Sequence, residues 1–126
     1  MSFKATMTVD GTDYNVVSCS YGFRQNVDAS GRPTSEVKSS DIALLIESSE
    51  DNSLMEWGVD SYGKKDGTIT FNKIDQDQKM KELDFTDGYI TSYNETFGGE
   101  TMMMSVTISC RTIKIGNAEI DNNWPQ

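Results

Sequence analysis

The chain has 126 residues, with 11 Lys and Arg against 20 Asp and Glu, a formal charge of −9, and no histidine. That length supports one domain over residues 1–126 with a core of its own, needing neither metal nor disulfide staples. An acid excess without a basic cluster excludes a phosphate-binding face, so neither nucleic acid nor an anionic membrane is an expected partner, and the missing imidazole removes Ser-His-Asp and Cys-His catalysis and imidazole-ligated zinc.

The start, "MSFKATMTVDG", lacks the apolar core of a signal peptide, and no apolar run approaches the ~20 residues that cross a bilayer. The chain is expected to fold in the cytoplasm and, if exported, to leave by a route that reads no cleavable signal. Phe3, Ala5, Met7 and Val9 alternate with Ser2, Lys4, Thr6 and Thr8 and run into Asp10-Gly11, which predicts a strand entering a hairpin. In the return strand, "DYNVVSCSYGFRQ", Val17, Cys19, Tyr21 and Phe23 fall on one face and Tyr14 and Val16 on the other, so both faces are expected to be partly covered. The polar segment "QNVDASGRPTSEVKSS" then runs from Gln25 to Ser40, with Gly31 and Pro33 inside it. It is too long for a tight hairpin connection and reads either as a loose surface excursion or as a binding or assembly arm.

A strand at "DIALLIES" precedes the one predicted helix. There Ser53 and Glu56 have capping-box spacing, Met55, Val59 and Tyr62 make the apolar stripe, and Gly63 stops the chain. Trp57 on that helix reads as core or as an interface anchor. Four more strands follow at "GTITFNKI", "MKELDFTD", "GYITSYNETF" and "MMMSVTISCRTIKIG". Asp75 and Asp77 are spaced like the opening of a calcium loop, but Met80 stands where the loop requires glycine and Thr86 where it requires a bidentate glutamate. The spacing instead predicts the solvated crest of a hairpin. Glu82 and Asp84 share the outward face of one strand; edge-strand charges that block wrong pairing are the preferred reading over a catalytic acid pair. Gly98-Gly99 has no helix behind it and predicts a turn, not a phosphate cradle. Met102, Met103 and Met104 put apolar groups on both faces, to plug a barrel end or to offer an adaptable contact surface. Val106, Ile108 and Cys110 share one parity while Ile113 and Ile115 share the other, which predicts a bulge near Arg111 of the kind that bends strands into a small barrel. Trp124, near the end, is either docked on the body or kept for a neighbour. Cys19 and Cys110 form no CxxC pair and read first as reduced, half-buried strand thiols, with a disulfide or a functional thiol as the alternative. No catalytic residue, metal site or cofactor emerges from this pass.

The ordered succession of "MSFKATMTVDGTDYNVVSCSYGF", "ASGRPTSEV", "DGTITFNKIDQDQKMKELDFTDGYITSY" and "VTISCRTIKIGNAEIDNNW" resembles the type VI secretion tube family (Hcp, also TssD), in its divergent branch, over nearly the full length. The resemblance implies a mainly β fold: a small antiparallel β-barrel of two packed curved sheets with one short α-helix and a long extended loop, related to phage tail tube proteins. It further implies a structural protein, not an enzyme, six copies of which close into a ring. The rings stack into a hollow inner tube, expelled by a contractile sheath and carrying effectors in its lumen. Its partners would be itself, as a homo-hexamer, and the sheath, spike and effector proteins, with no cofactor. The long loop would reach toward the neighbouring ring, which makes Asn26, Asp28, Arg32, Pro33, Glu36 and Lys38 the stacking candidates. Trp57, Met102, Met103, Met104 and Trp124 are the candidates for other subunit contacts. The alternative is a monomeric β-barrel that binds a small ligand.

Overall fold

The structure, a computed structural model, describes residues 3–39, 41–73 and 78–122. In chain order the elements are β1 (Phe3–Val9), β2 (Thr12–Ser20), β3 (Phe23–Arg24), β4 (Lys38–Ser39), β5 (Ile42–Glu47), α1 (Ser53–Val59), β6 (Lys65–Lys73), β7 (Gln78–Gly98), β8 (Thr101–Ser109), β9 (Thr112–Ile115) and β10 (Ala118–Asp121). The first hairpin forms where Asp10-Gly11 predicts it. Both residues are left-handed, at φ 52° and 78°, and they set Val9 opposite Thr12. The two strands expected at "MKELDFTD" and "GYITSYNETF" are one 21-residue strand, β7. Its first half pairs with β6 and its second half with β8, so the order β7-β6-β1-β2-β5-β8 returns to β7 and closes a six-strand barrel. The hairpin of β9 and β10 extends the sheet from the other edge of β7, and β3 and β4 form a separate ribbon. The expected small antiparallel β-barrel is thus formed by one curved sheet wrapped onto itself.

Alternation supplies the barrel's contents, because every second side chain of a strand points inward. Met7, Ile42, Ile46, Ile69, Leu83 and Ile108 are completely inaccessible, and Leu44, Phe85, Met104, Val106 and Cys110 are nearly so. A barrel of six strands filled this way is packed with side chains and too narrow to enclose a ligand.

Irregularities in the ladders explain where parity arguments fail. Val16 pairs with Ile46 and Ser18 with Leu45, so Val17 is a bulge residue turned outward. The bulge shifts the phase of β2, which brings Cys19 and Tyr21 to the same side as Tyr14 and Val16. The two-faced reading of this strand is therefore corrected, and Phe23, placed on one face with Val17, Cys19 and Tyr21, is exposed. The bulge expected near Arg111 is a strand break between β8 and β9. The Arg111 amide crosses it by donating to the Thr86 carbonyl at 3.0 Å, while Ile113 re-enters the core. β7 itself shifts register near Met80, at Thr86–Asp87 and at Thr91, and the left-handed Asp87 (φ 51°) has its amide held by the Asp66 carboxylate at 2.9 Å.

The helix exists, but with its face rotated from the expected one. Leu54 and Trp57 are buried, whereas Met55, Val59 and Tyr62 face solvent. A seven-residue helix has too few turns for a stripe to be diagnostic, and contact with Ile90 of β7, which approaches Gly58, decides its orientation. Ser53 is not the N-cap. Asn52 holds that position, and the Asp51 carboxylate accepts from both the amide and the hydroxyl of Ser53. Those bonds hold the Asp51 carboxyl below its usual pKa. Beyond the helix, the Gly63 carbonyl accepts from the Trp57 indole N–H at 2.9 Å, satisfying the only polar atom of a buried ring.

Phe85 occupies a slot that only glycine leaves open. A Cβ on Gly67, directly across the ladder, would lie 2.5 Å from Phe85 Cζ, and one on Gly88 would lie 2.8 Å from Cε1. Gly67→Ala should therefore cost about 1–3 kcal/mol by overpacking. Combining it with Phe85→Leu should recover part of that loss in a denaturant-melt double-mutant cycle, whereas strictly additive losses would show that the ring is not what excludes the methyl group.

Candidate functional site

The segment from Phe23 to Ser39 is an ordered hairpin that stands off the barrel. At its root Phe23 pairs with Ser39 and Arg24 with Lys38, and further out Val27 bridges to Pro33. Between these, the Thr34 amide donates to the Asn26 carbonyl at 2.8 Å, the Asn26 amide to Ser35 Oγ at 3.0 Å, and Gln25 Nε2 to the Ser35 carbonyl at 3.0 Å. The tip is organised by Asp28, whose Oδ1 accepts from the Ser30 amide at 2.9 Å, the Ser30 hydroxyl at 2.7 Å and the Arg32 amide at 3.0 Å, while Gly31 turns the chain at φ 89°. The Ser30 hydroxyl and the backbone donors stabilise the ionised carboxylate and lower the Asp28 pKa. The ordering that these bonds give the tip is therefore present above the ordinary carboxylate range and fades as the pH falls through the depressed value. Of the six stacking candidates, Asn26, Asp28, Arg32, Pro33 and Glu36 lie on this exposed hairpin, and Lys38 sits half-buried at its root.

The other candidates separate by burial. Trp57 and Met104 are core residues, the latter accepting from the Tyr93 hydroxyl through Sδ at 3.1 Å, so neither presents a surface. Met103 is half-buried and Met102 is exposed, and Met102 lies directly across the β7–β8 ladder from Phe97, itself 70% exposed. Trp124 lies outside the described residues, as do Asp75 and Asp77. Phe97 escaped the sequence reading although its signal was present: the expected turn forms one residue later, at Gly99-Glu100, which sets Gly98 opposite Thr101 and Phe97 opposite Met102. Phe23 and Val27, apolar and exposed on the arm, escaped it too.

Glu82 and Asp84 do not act as a pair. Lys79 Nζ binds Glu82 at 2.9 Å, and the Thr68 hydroxyl donates to Asp84 at 2.9 Å. Nor do both lie on an edge strand, since Asp84 pairs with Thr68 of β6 on one side and with Lys114 of β9 on the other. Among the described residues no group of three or more Cys, Asp or Glu side chains is placed to hold a metal ion.

The comparisons with known proteins bear on this arrangement. The family model for hemolysin coregulated protein Hcp (TssD) matches residues 1–125. The chain belongs to the Hcp family. It is 36% identical to Hcp1 of Flavobacterium johnsoniae, with a TM-score of 0.88 over 94% of this chain and 99% of that one. The fold is also that of Hcp1 from Salmonella typhimurium (13% identity, TM-score 0.75, 95% and 92% covered). Secreted protein Hcp3 from Pseudomonas aeruginosa shares it as well (11% identity, TM-score 0.64, 99% and 100% covered). No curated protein matches the chain by sequence.

Both cysteines of this Hcp-family chain are unpaired thiols. Burial pushes Cys19 from 9 up to about 11, and burial with the nearby Asp41 charge pushes Cys110 up to about 12. A thiol kept protonated at neutral pH is a poor nucleophile. Alkylation of the native protein at pH 8 should accordingly be far slower than that of the denatured chain, and rapid modification of either cysteine would contradict the packing role. Stability should also decline as the pH rises from about 9 toward 12, where the unfolded chain ionises thiols that the fold keeps protonated.

Proposed function

We propose that the chain is the tube subunit of a type VI secretion apparatus, assembling as hexameric rings that stack through the Phe23–Ser39 arm into a hollow tube. The full-length match to the Hcp family carries this reading. An ordered arm with Phe23 and Val27 exposed, and a second apolar pair at Phe97 and Met102, supports it, because each offers a contact that a lone subunit leaves in water. In this reading the lumen is the hole of the ring and not the barrel interior, which is filled. Effectors would travel in that hole, the sheath and spike proteins would meet the outside and the end of the tube, and export would need no cleavable signal. The role is structural and involves no catalysis. The separate partners of Glu82 and Asp84 and the raised thiol pKa values favour that conclusion.

Each subunit brings a formal charge of −9 to the ring, so like-charge repulsion opposes stacking. With a Debye length of about 30 Å at ~0.01 M salt and ~8 Å at ~0.15 M, stacking should strengthen as salt is added, while ring closure through buried contacts should change little. Light scattering coupled to gel filtration should give a hexamer, and a strictly monomeric species at high micromolar concentration would defeat the proposal. Deleting Asn26 to Glu36 should leave rings intact and abolish stacking, visible by negative-stain imaging. Undiminished stacks would assign that role to another surface.

A further inference from the structure

Asn122 makes five hydrogen bonds that tie three otherwise separate parts of the chain together. Its Oδ1 accepts from the Ser39 amide at 2.9 Å. Its Nδ2 donates to Ser39 Oγ at 2.7 Å and to the Cys110 carbonyl at 2.8 Å. Its own amide donates to the Arg111 carbonyl at 2.8 Å, and its carbonyl accepts from Lys38 Nζ at 3.1 Å. Cys110 and Arg111 form the break between β8 and β9, where the ladder alone leaves carbonyls over, and Lys38 and Ser39 are β4, the returning leg of the arm. One half-buried residue thus joins the arm's root to the β8–β9 break.

We infer that Asn122 is the positioning residue that sets the direction of the arm relative to the barrel. The ladder of β3 and β4 holds the two legs to each other over only two residue pairs and says nothing about where the ribbon points. Direction has to come from a contact with the body, and three of the five bonds of Asn122 go to β4. The chemistry is specific to a carboxamide: the Ser39 amide needs an acceptor and the Cys110 carbonyl needs a donor, and one planar group of this length supplies both. An aspartate of the same size would place a second acceptor against the Cys110 carbonyl.

The inference rests on the stacking role proposed for the arm only for its biological use, and the test separates the two. Full-length rings of the wild type, Asn122→Ala, Asn122→Asp, Ser39→Ala and the Asn122→Ala/Ser39→Ala pair would be compared by hydrogen exchange and mass spectrometry. Asn122→Ala should raise exchange in peptides over Val37–Ser39 by about fivefold or more, the weight of one or two hydrogen bonds, and leave β5 unchanged. Asn122→Asp, which keeps an acceptor for the Ser39 amide but sets a carboxylate oxygen against the Cys110 carbonyl, should be looser than the wild type despite its wild-type size. Ser39→Ala should produce a rise of about twofold alone and add little in the Asn122→Ala background, because the two residues act through one contact. Exchange at the root that is unchanged in Asn122→Ala, or wild-type behaviour of Asn122→Asp, would overturn the inference. Should Asn122→Ala fail to fold, Ser39→Ala decides, and its exchanging like the wild type would be equally fatal. In the same samples Asn122→Ala should retain rings but need about tenfold more protein to stack, as expected when the productive arm orientation falls to a minor population. Stacks that persist after deletion of Asn26 to Glu36 would remove the stacking role and leave the exchange result to decide the role of Asn122.

Discussion

Closure of the barrel depends on one strand serving two partners in succession. β7 lies against β6 for its first half and against β8 for its second, and a straight strand cannot turn from one to the other. The bend at Asp87-Gly88 solves this with three cooperating features: a left-handed residue at Asp87, an Asp66 carboxylate that takes the amide the ladder cannot, and a glycine against which the Phe85 ring lies. Gly67 clears the opposite side of the same ring, so backbone curvature and core packing are fixed by one contact. Aliphatic residues from every wall then meet at the axis, and the interior is solid.

A solid interior leaves only the outside to carry function. The outside carries a net formal charge of −9. Among its exposed large apolar side chains, Val17, Met55, Val59, Tyr62 and Met80 lie on the body, Phe23 and Val27 on the arm, and Phe97 and Met102 face each other near the end of the β7–β8 hairpin. The four on the projecting hairpins would suit contacts made at defined points with other subunits.

Features governed by neighbouring residues were legible in the sequence, and features governed by distant ones were not. Asp10-Gly11 reveals its turn, and Gly98-Gly99 reveals one that starts a residue later at Gly99, because backbone freedom is a property of the residues themselves. The alternation of Leu83 and Phe85, or of Val106, Ile108 and Cys110, reveals its inward face for the same reason. The outward turn of Val17 is invisible locally, since it exists only because Val16 and Ser18 pair with adjacent residues of β5. The helix shows the same limit: Met55, Val59 and Tyr62 form as good a stripe as Leu54 and Trp57, and only the position of Ile90 chooses between them. On the arm, length and polarity marked the segment, but not that Asp28 and Ser35 would order it. Asn122 carried no local signal at all, because all its partners outside its own residue lie at least 11 positions away.

The arm also shows why polar bonds, and not apolar packing, have to hold such a projection. A segment with two exposed apolar side chains has no core to fold around, so left to itself it would sample many conformations. Fixing ten residues at the moment of docking would cost roughly 10–20 kcal/mol of backbone entropy. Contacts made by two or three side chains return a fraction of that, about 2–3 kcal/mol for each well-buried group. An arm ordered only on docking would lose that balance, and repulsion between acidic surfaces would deepen the deficit. The hydrogen bonds of Asp28 at the tip, Ser35 along the shaft and Asn122 at the root offset part of that ordering cost in the free subunit. If the arm docks on a neighbouring subunit as proposed, burial of Phe23 and Val27 would then be set against a smaller ordering cost and against the charge.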